Sequence, residues 1–202
     1  MVILILLQMA YHLIGDSLHS WGGMMLFILI ALHNIADRKW YSGLRKGKYT
    51  PLRFFHTVIN FLLLASFLGL AVSAAFLSTT LSTFLRWNMT LTGRRMHMLF
   101  SIWSFVLMSV HAGLHLSKGS SVIKKQGKKI QSLFKMILIF ASAYGSYAFI
   151  SRGLLQQMFL VSEYVFFNYE EPVFLVIIDY AAIVCLFSCV SFVLRQMIVK
   201  QK

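Results

Sequence analysis

The chain has 202 residues, of which 58% are hydrophobic and only 12% charged, and its mean hydropathy is +0.74. A soluble domain carries about 25% charged residues, so this composition excludes a water-soluble globule and indicates an integral membrane protein. Lys and Arg number 19 against 6 Asp and Glu; in so apolar a chain that excess marks cytoplasmic loops and contact with anionic lipid, not nucleic acid.

Residues 1–14 are apolar but reach only about 21 Å at the helical rise, short of a bilayer core of about 30 Å. They carry no basic n-region and no small-residue cleavage site, which argues against a signal peptide. The stretch, with His12 inside it, reads as the tail of a first transmembrane helix whose start lies upstream. Gly15, Asp16 and Ser17 form a turn, and Asp16 or Ser17 can cap a second helix over residues 19–36. The loop that follows carries Arg38, Lys39, Arg45, Lys46, Lys48 and Arg53, is punctuated by Pro51, and is expected on the cytoplasmic side. A third helix covers residues 54–77, where Gly69 and neighbouring small residues permit close helix contact. Residues 78–95 are poorer in charge and read as an external loop.

The fourth helix then runs to about residue 117 and leaves through Lys118, Lys124, Lys125, Lys128 and Lys129, again cytoplasmic. A fifth helix spans residues 133–150. The next loop sets Glu163, Glu170 and Glu171 among Tyr164, Phe166, Phe167 and Tyr169, the pattern of an external interfacial belt. Pro172 opens a sixth helix that ends near residue 198. The expectation is an all-α, integral membrane helical bundle of about six transmembrane helices, the first short or truncated, in the cytoplasmic membrane with both termini cytoplasmic. It forms a single domain over residues 1–202, with a core at 1–117 and a two-helix extension at 131–202. Cys185 and Cys189 lie one turn apart in an apolar run, and no CxxC or CxxCH motif occurs, so covalent c-type haem and a thiolate cluster are disfavoured and helix packing is their role. Neither a GxGxxG nor a P-loop pattern is present.

The histidines carry the chemistry. His19 and His33 are fourteen residues apart in the second helix, and His97 and His111 are fourteen apart in the fourth. Fourteen residues advance roughly 21 Å and return to within about 40° of the same face. In the expected topology the two helices run in one direction, so His19 pairs with His97 at the outer level and His33 with His111 at the inner level. Two helices with matched pairs can clamp two stacked b-type haems, each iron taking two neutral imidazoles. Ionisable groups at this depth default to functional roles. His115, one turn beyond His111, is the rival inner ligand, or else an interfacial group on a propionate or water. His12 and His56 lack partners at that spacing and read as structural or supporting residues; His56, at the cytoplasmic end of the third helix, can serve a quinone or a proton path. Gly22, Gly23 and Gly113 can leave room for a macrocycle, and Arg94, Arg95, Arg38 and Lys39 can neutralise propionates. Asp179, an acid inside the sixth span, can support a histidine, relay a proton or pair with a basic residue at the outer interface.

Taken together, Ala10-Tyr11, His19-Ser20-Trp21-Gly22, Leu32-His33-Asn34, Arg38-Lys39-Trp40-Tyr41, Arg95-Met96-His97 and the run Ser109-Val110-His111-Ala112-Gly113-Leu114-His115 resemble the flavinylation-associated cytochrome family. Residues 149–153 and 166–172 also look like its members, so the resemblance covers nearly the whole chain. It departs at Ser20, where members usually carry an acid after the first His, and in the shortened first helix. The resemblance implies a haem-bearing membrane electron-transfer protein that works with extracytoplasmic flavinylated partners. The expected function is electron transfer through two non-covalent haem b groups, linking a cytoplasmic or quinol donor to an external acceptor, as one subunit of an oxidoreductase system. Two rivals stand beside it. One is a non-haem metal-binding or transport protein, which would want carboxylates or thiolates beside the histidines; the other is a scaffold subunit whose histidines only bridge helices.

Overall fold

The computed structural model describes residues 1–78, 90–162, 168 and 170–200; the side chains at 90 and 117–124 lie outside that description. The aromatic belt expected at Tyr164, Phe166, Phe167 and Tyr169, together with Glu163, therefore falls outside it, as do most of the loop 78–95 and the side chains of Lys118 and Lys124. The described residues form eight helices and no strand: α1 (Val2–Met9), α2 (Tyr11–Ala36), α3 (Arg38–Gly43), α4 (Pro51–Leu77), α5 (Thr90–Lys124), α6 (Lys128–Ser151), α7 (Leu154–Met158) and α8 (Val173–Lys200).

Five helices, α2, α4, α5, α6 and α8, are long and apolar enough to cross a bilayer. Each supplies at least 24 residues, hence about 36 Å of helix against a hydrocarbon core of about 30 Å. Their outward faces are apolar: Leu18, Ile28 and Leu32 on α2, Ile139, Phe140 and Ile150 on α6, and Phe174, Val193 and Met197 on α8 are all exposed. A surface that apolar over several helices is stable against lipid, not water. The chain is a multi-pass membrane protein.

The start of the chain differs from a single short span. Val2–Met9 breaks at Ala10 (φ −90°, ψ 29°), and α2 is broken again at Gly15, where φ is 77° and ψ 168°. Only glycine adopts that backbone cheaply. The break folds α1 back along α2, and Gly22 supplies the room: a Cβ there would lie 2.2 Å from Nε2 of Gln8. Tyr11 crosses the bend, its hydroxyl donating to Oδ1 of Asp16 at 2.6 Å.

At the other end of α2, the loop to α4 is tied down by Arg53, whose guanidinium donates to the carbonyls of Gly43 (2.6 Å) and Lys46 (2.7 Å). Thr50 caps α4 by accepting the Arg53 N–H at 3.3 Å, and Pro51 occupies the first turn, where its missing N–H costs nothing.

Helix α5 is the centre of the bundle. Half of its apolar window is buried in protein, against 11% for α2 and α6. Ile102, Phe105 and Leu114 are fully buried on it, facing α4 on one side and α8 on the other. Close approach depends on glycine. A Cβ on Gly69 would stand 2.6 Å from the Phe100 ring, one on Gly113 2.2 Å from the Ser188 carbonyl oxygen, and one on Gly145 2.3 Å from the Ala182 oxygen. Ser188 and Ser191 of α8 then donate to the carbonyls of Ser109 (2.9 Å) and Val110 (2.8 Å) on α5. Small residues and interhelical hydrogen bonds replace the hydrophobic drive that lipid cannot supply.

Candidate functional site

Helix α2 stands apart from this packing. It lies closely along α1 and makes only sparse backbone approaches to α4 and α5. Between α2 and α4 opens an apolar cavity of about 290 Å³, walled by Phe27, Ile30, Leu64 and Phe67 and rimmed by Asn34 and Tyr41. Tyr41 donates its hydroxyl to Asn34 Oδ1, and Asn34 in turn donates to the Ile30 carbonyl at 2.8 Å, so the polar rim is closed on itself.

Across the gap, at one level, α2 and α5 bring two imidazoles together. The rings of His19 and His97 have centres 6.0 Å apart and planes at 67°. Metal–imidazole bonds of about 2 Å on opposite sides of one ion place ring centres about 6 Å apart, so the spacing fits a shared metal. Buried Nδ1 of His19 has no hydrogen-bond partner among the described residues. The Tyr11 ring meets His19 edge-on, 4.9 Å between centres, and holds it from the α1 side. His97 is held from α4: its Nδ1 is 3.3 Å from Oγ of Ser73, a fully buried serine that donates its own proton to the Leu70 carbonyl at 2.8 Å.

At the other level the arrangement is richer. His111 sets Nδ1 2.8 Å from Oδ1 of Asn60 on α4. Its ring centre is 4.8 Å from that of His115, and His115 is 5.9 Å from His56 with planes at 89°. His33 takes a different partner, with Nε2 3.4 Å from Asp37 Oδ2 and both side chains more than half exposed. It lies within electrostatic range of His111 but makes no ring contact with it among the described residues. The structure thus brings His19 to His97, gathers His56, His111 and His115, and leaves His33 on the rim. His56, Asn60, Ser73 and Tyr11 are the residues that spacing along one helix did not reveal as part of the site.

One sequence expectation changes. Gly22 faces Gln8 of α1, and Gly113 faces Ser188 and Ser191 of α8, so these two glycines admit neighbouring helices and not a macrocycle, while a Cβ on Gly23 would meet only Gln8 Oε1, at 3.8 Å. Of the roles open to Asp179, the structure shows the ion pair: its carboxylate accepts from Arg152 Nε (2.8 Å) and from the Tyr144 hydroxyl (2.5 Å). Arg152 spends its other nitrogens on Glu171 at 2.7 and 2.5 Å. Glu171 first, then Asp179, raises the guanidinium further above its ordinary range, so it stays charged and ties the end of α6 to Glu171 and to Asp179 of α8.

The donor chemistry suits a haem. A bare metal ion asks for three or four protein ligands, and among the described residues no three His, Cys, Asp or Glu converge for one. A haem brings four equatorial nitrogens and asks for two imidazoles, which the pair at 6.0 Å supplies. Comparison with known protein families, characterised proteins and solved structures gives no match, so the functional reading rests on this geometry.

Proposed function

We propose that the chain is a transmembrane electron-transfer protein that holds two b-type haems non-covalently in the cytoplasmic membrane. The facing imidazoles of His19 and His97, 6.0 Å apart across helices that otherwise stand off from one another, carry this reading. His19 and His97 would hold the outer group. His33 on α2 and His111 on α5, or His115 in the place of His111, would hold the inner one. The cofactor supplies a one-electron couple at each level; the protein supplies ligation, spacing and local charge.

The remaining residues fit that task. Arg94 and Arg95, exposed one turn outside His97, and Arg38 and Lys39, exposed beyond His33, offer positive charge to acidic substituents at the two ends. The basic segments around Arg45 and Lys125 orient the inner level toward the cytoplasm, where a quinol or reduced carrier is the donor. The external acceptor, a flavin-bearing protein, comes from the family resemblance alone. Acid acetone should extract haem from the purified protein, and a pyridine haemochrome should report protohaem at about two per chain. A colourless, folded preparation from haem-replete cells sinks the proposal.

A further inference from the structure

His97 and His111 of α5 share a feature that their spacing does not require. Each has its Nδ1 turned to an acceptor on α4. For His111 the acceptor is Asn60 Oδ1 at 2.8 Å. An amide oxygen only accepts, so Nδ1 carries the proton. For His97 it is Ser73 Oγ at 3.3 Å. Ser73 has one proton and gives it to Leu70 at 2.8 Å, so its oxygen accepts and His97 Nδ1 likewise carries the proton. In a neutral imidazole one protonated nitrogen leaves the other with a bare lone pair. Both residues therefore present Nε2 as the ligating atom. His33 on α2 is placed differently, with Nε2 3.4 Å from Asp37 Oδ2 on its own helix.

Resting on the haem reading above, we infer that Ser73 and Asn60 are positioning residues for the two centres: Ser73 sets the tautomer of His97 at the outer one and Asn60 that of His111 at the inner one. An acceptor on Nδ1–H draws the proton toward itself and raises electron density at Nε2, which favours ferric over ferrous iron. Each acceptor therefore lowers the potential of its own centre. Because the two residues are thirteen positions apart on α4, or about 20 Å along a helix, the effects are separable.

The test is a spectroscopically monitored redox titration of the purified holoprotein, with haem stoichiometry measured on each sample. Ser73→Ala should raise the midpoint of one component and leave the other unmoved; a tenfold preferential loss of ferric-state affinity corresponds to about 59 mV for one electron. Ser73→Thr, which keeps the hydroxyl, should restore the original value. Asn60→Leu should raise the other component, and Asn60→Asp, a stronger acceptor, should lower it. If Ser73→Ala fails to accumulate, Ser73→Cys, similar in size and a weaker acceptor, carries the same expected rise. Should Ser73→Ala, or Ser73→Cys in its place, and Asn60→Leu keep both haems with both midpoints unmoved, the inference is overturned while the haem reading stands. A wild-type protein without haem overturns the haem reading itself.

Discussion

Replacing Gly113 by Ala distinguishes two uses of that residue. A Cβ at this position would lie 2.1 Å from Ser191 Oγ and 2.2 Å from the Ser188 carbonyl oxygen. The serine hydroxyl can rotate away, but the carbonyl belongs to the backbone of α8, so α5 and α8 must separate by more than an ångström. Overpacking of this kind costs about 1–3 kcal/mol. The separation also stretches the Ser188–Ser109 and Ser191–Val110 hydrogen bonds, now 2.9 and 2.8 Å, each worth about 0.6 kcal/mol in a membrane. The sum is about 2–4 kcal/mol, a large part of the stability of a single domain. Denaturant titration in mixed micelles, followed by Trp fluorescence, reads it. Gly43→Ala is the control, since nothing lies within 4 Å of a Cβ there and a change of about 0.5 kcal/mol or less is expected. Ser191→Ala should not rescue Gly113→Ala, because the backbone oxygen remains. If Gly113→Ala is as stable as the control and instead loses one haem, the glycine faces a cofactor and the α5–α8 contact described here is wrong.

Arg152→Gln leaves Asp179, 8% exposed, facing Tyr144 with no cation; the expected loss is about 3–5 kcal/mol, measured by the same titration, and Asp179→Asn on that background should recover part of it. Gly15→Ala forces a side chain into φ +77° at a cost of order 1–3 kcal/mol, and should free the α1 segment to proteolysis before the rest of the bundle melts. Single cysteines introduced at Lys46 and Lys125 should resist an impermeant label in intact cells, and one at Glu170 should react. External labelling at Lys125 reverses the orientation.

The long apolar helices were legible from the sequence because hydropathy is a property of each segment by itself, and five of them stand as spans. So was the fourteen-residue spacing, which helical periodicity alone converts to a common face. What lay hidden was the relation between helices. Gly113 reads the same whether it faces a ligand or a neighbouring backbone; only the register of α8 against α5 decides, and that register is carried by Ser188 and Ser191 about 80 residues downstream. Ser73 and Asn60 were invisible for the same reason, since a serine or an asparagine in a span signals only that some partner must satisfy it. His56 could be placed at the correct end of its helix, yet its contact with His115 depends on how α4 and α5 are rotated. The break at Ala10 carries no glycine or proline, so nothing local announced it. By contrast, the Gly15 turn did announce itself, and the helix breaks there.

The most direct test of the two-centre account is the visible spectrum and haem content of single histidine variants. Wild-type protein should resolve two components. His19→Ala and His97→Ala should each delete the same one and spare the other, because each iron needs both imidazoles at its level. His111→Ala and His33→Ala should delete the second component, whereas His115→Ala should keep both haems. A His115→Ala protein that loses a haem while His111→Ala keeps it would move the inner ligand by one turn. If His19→Ala and His97→Ala remove different components, or if all four ligand variants retain both haems, the paired-helix account is contradicted.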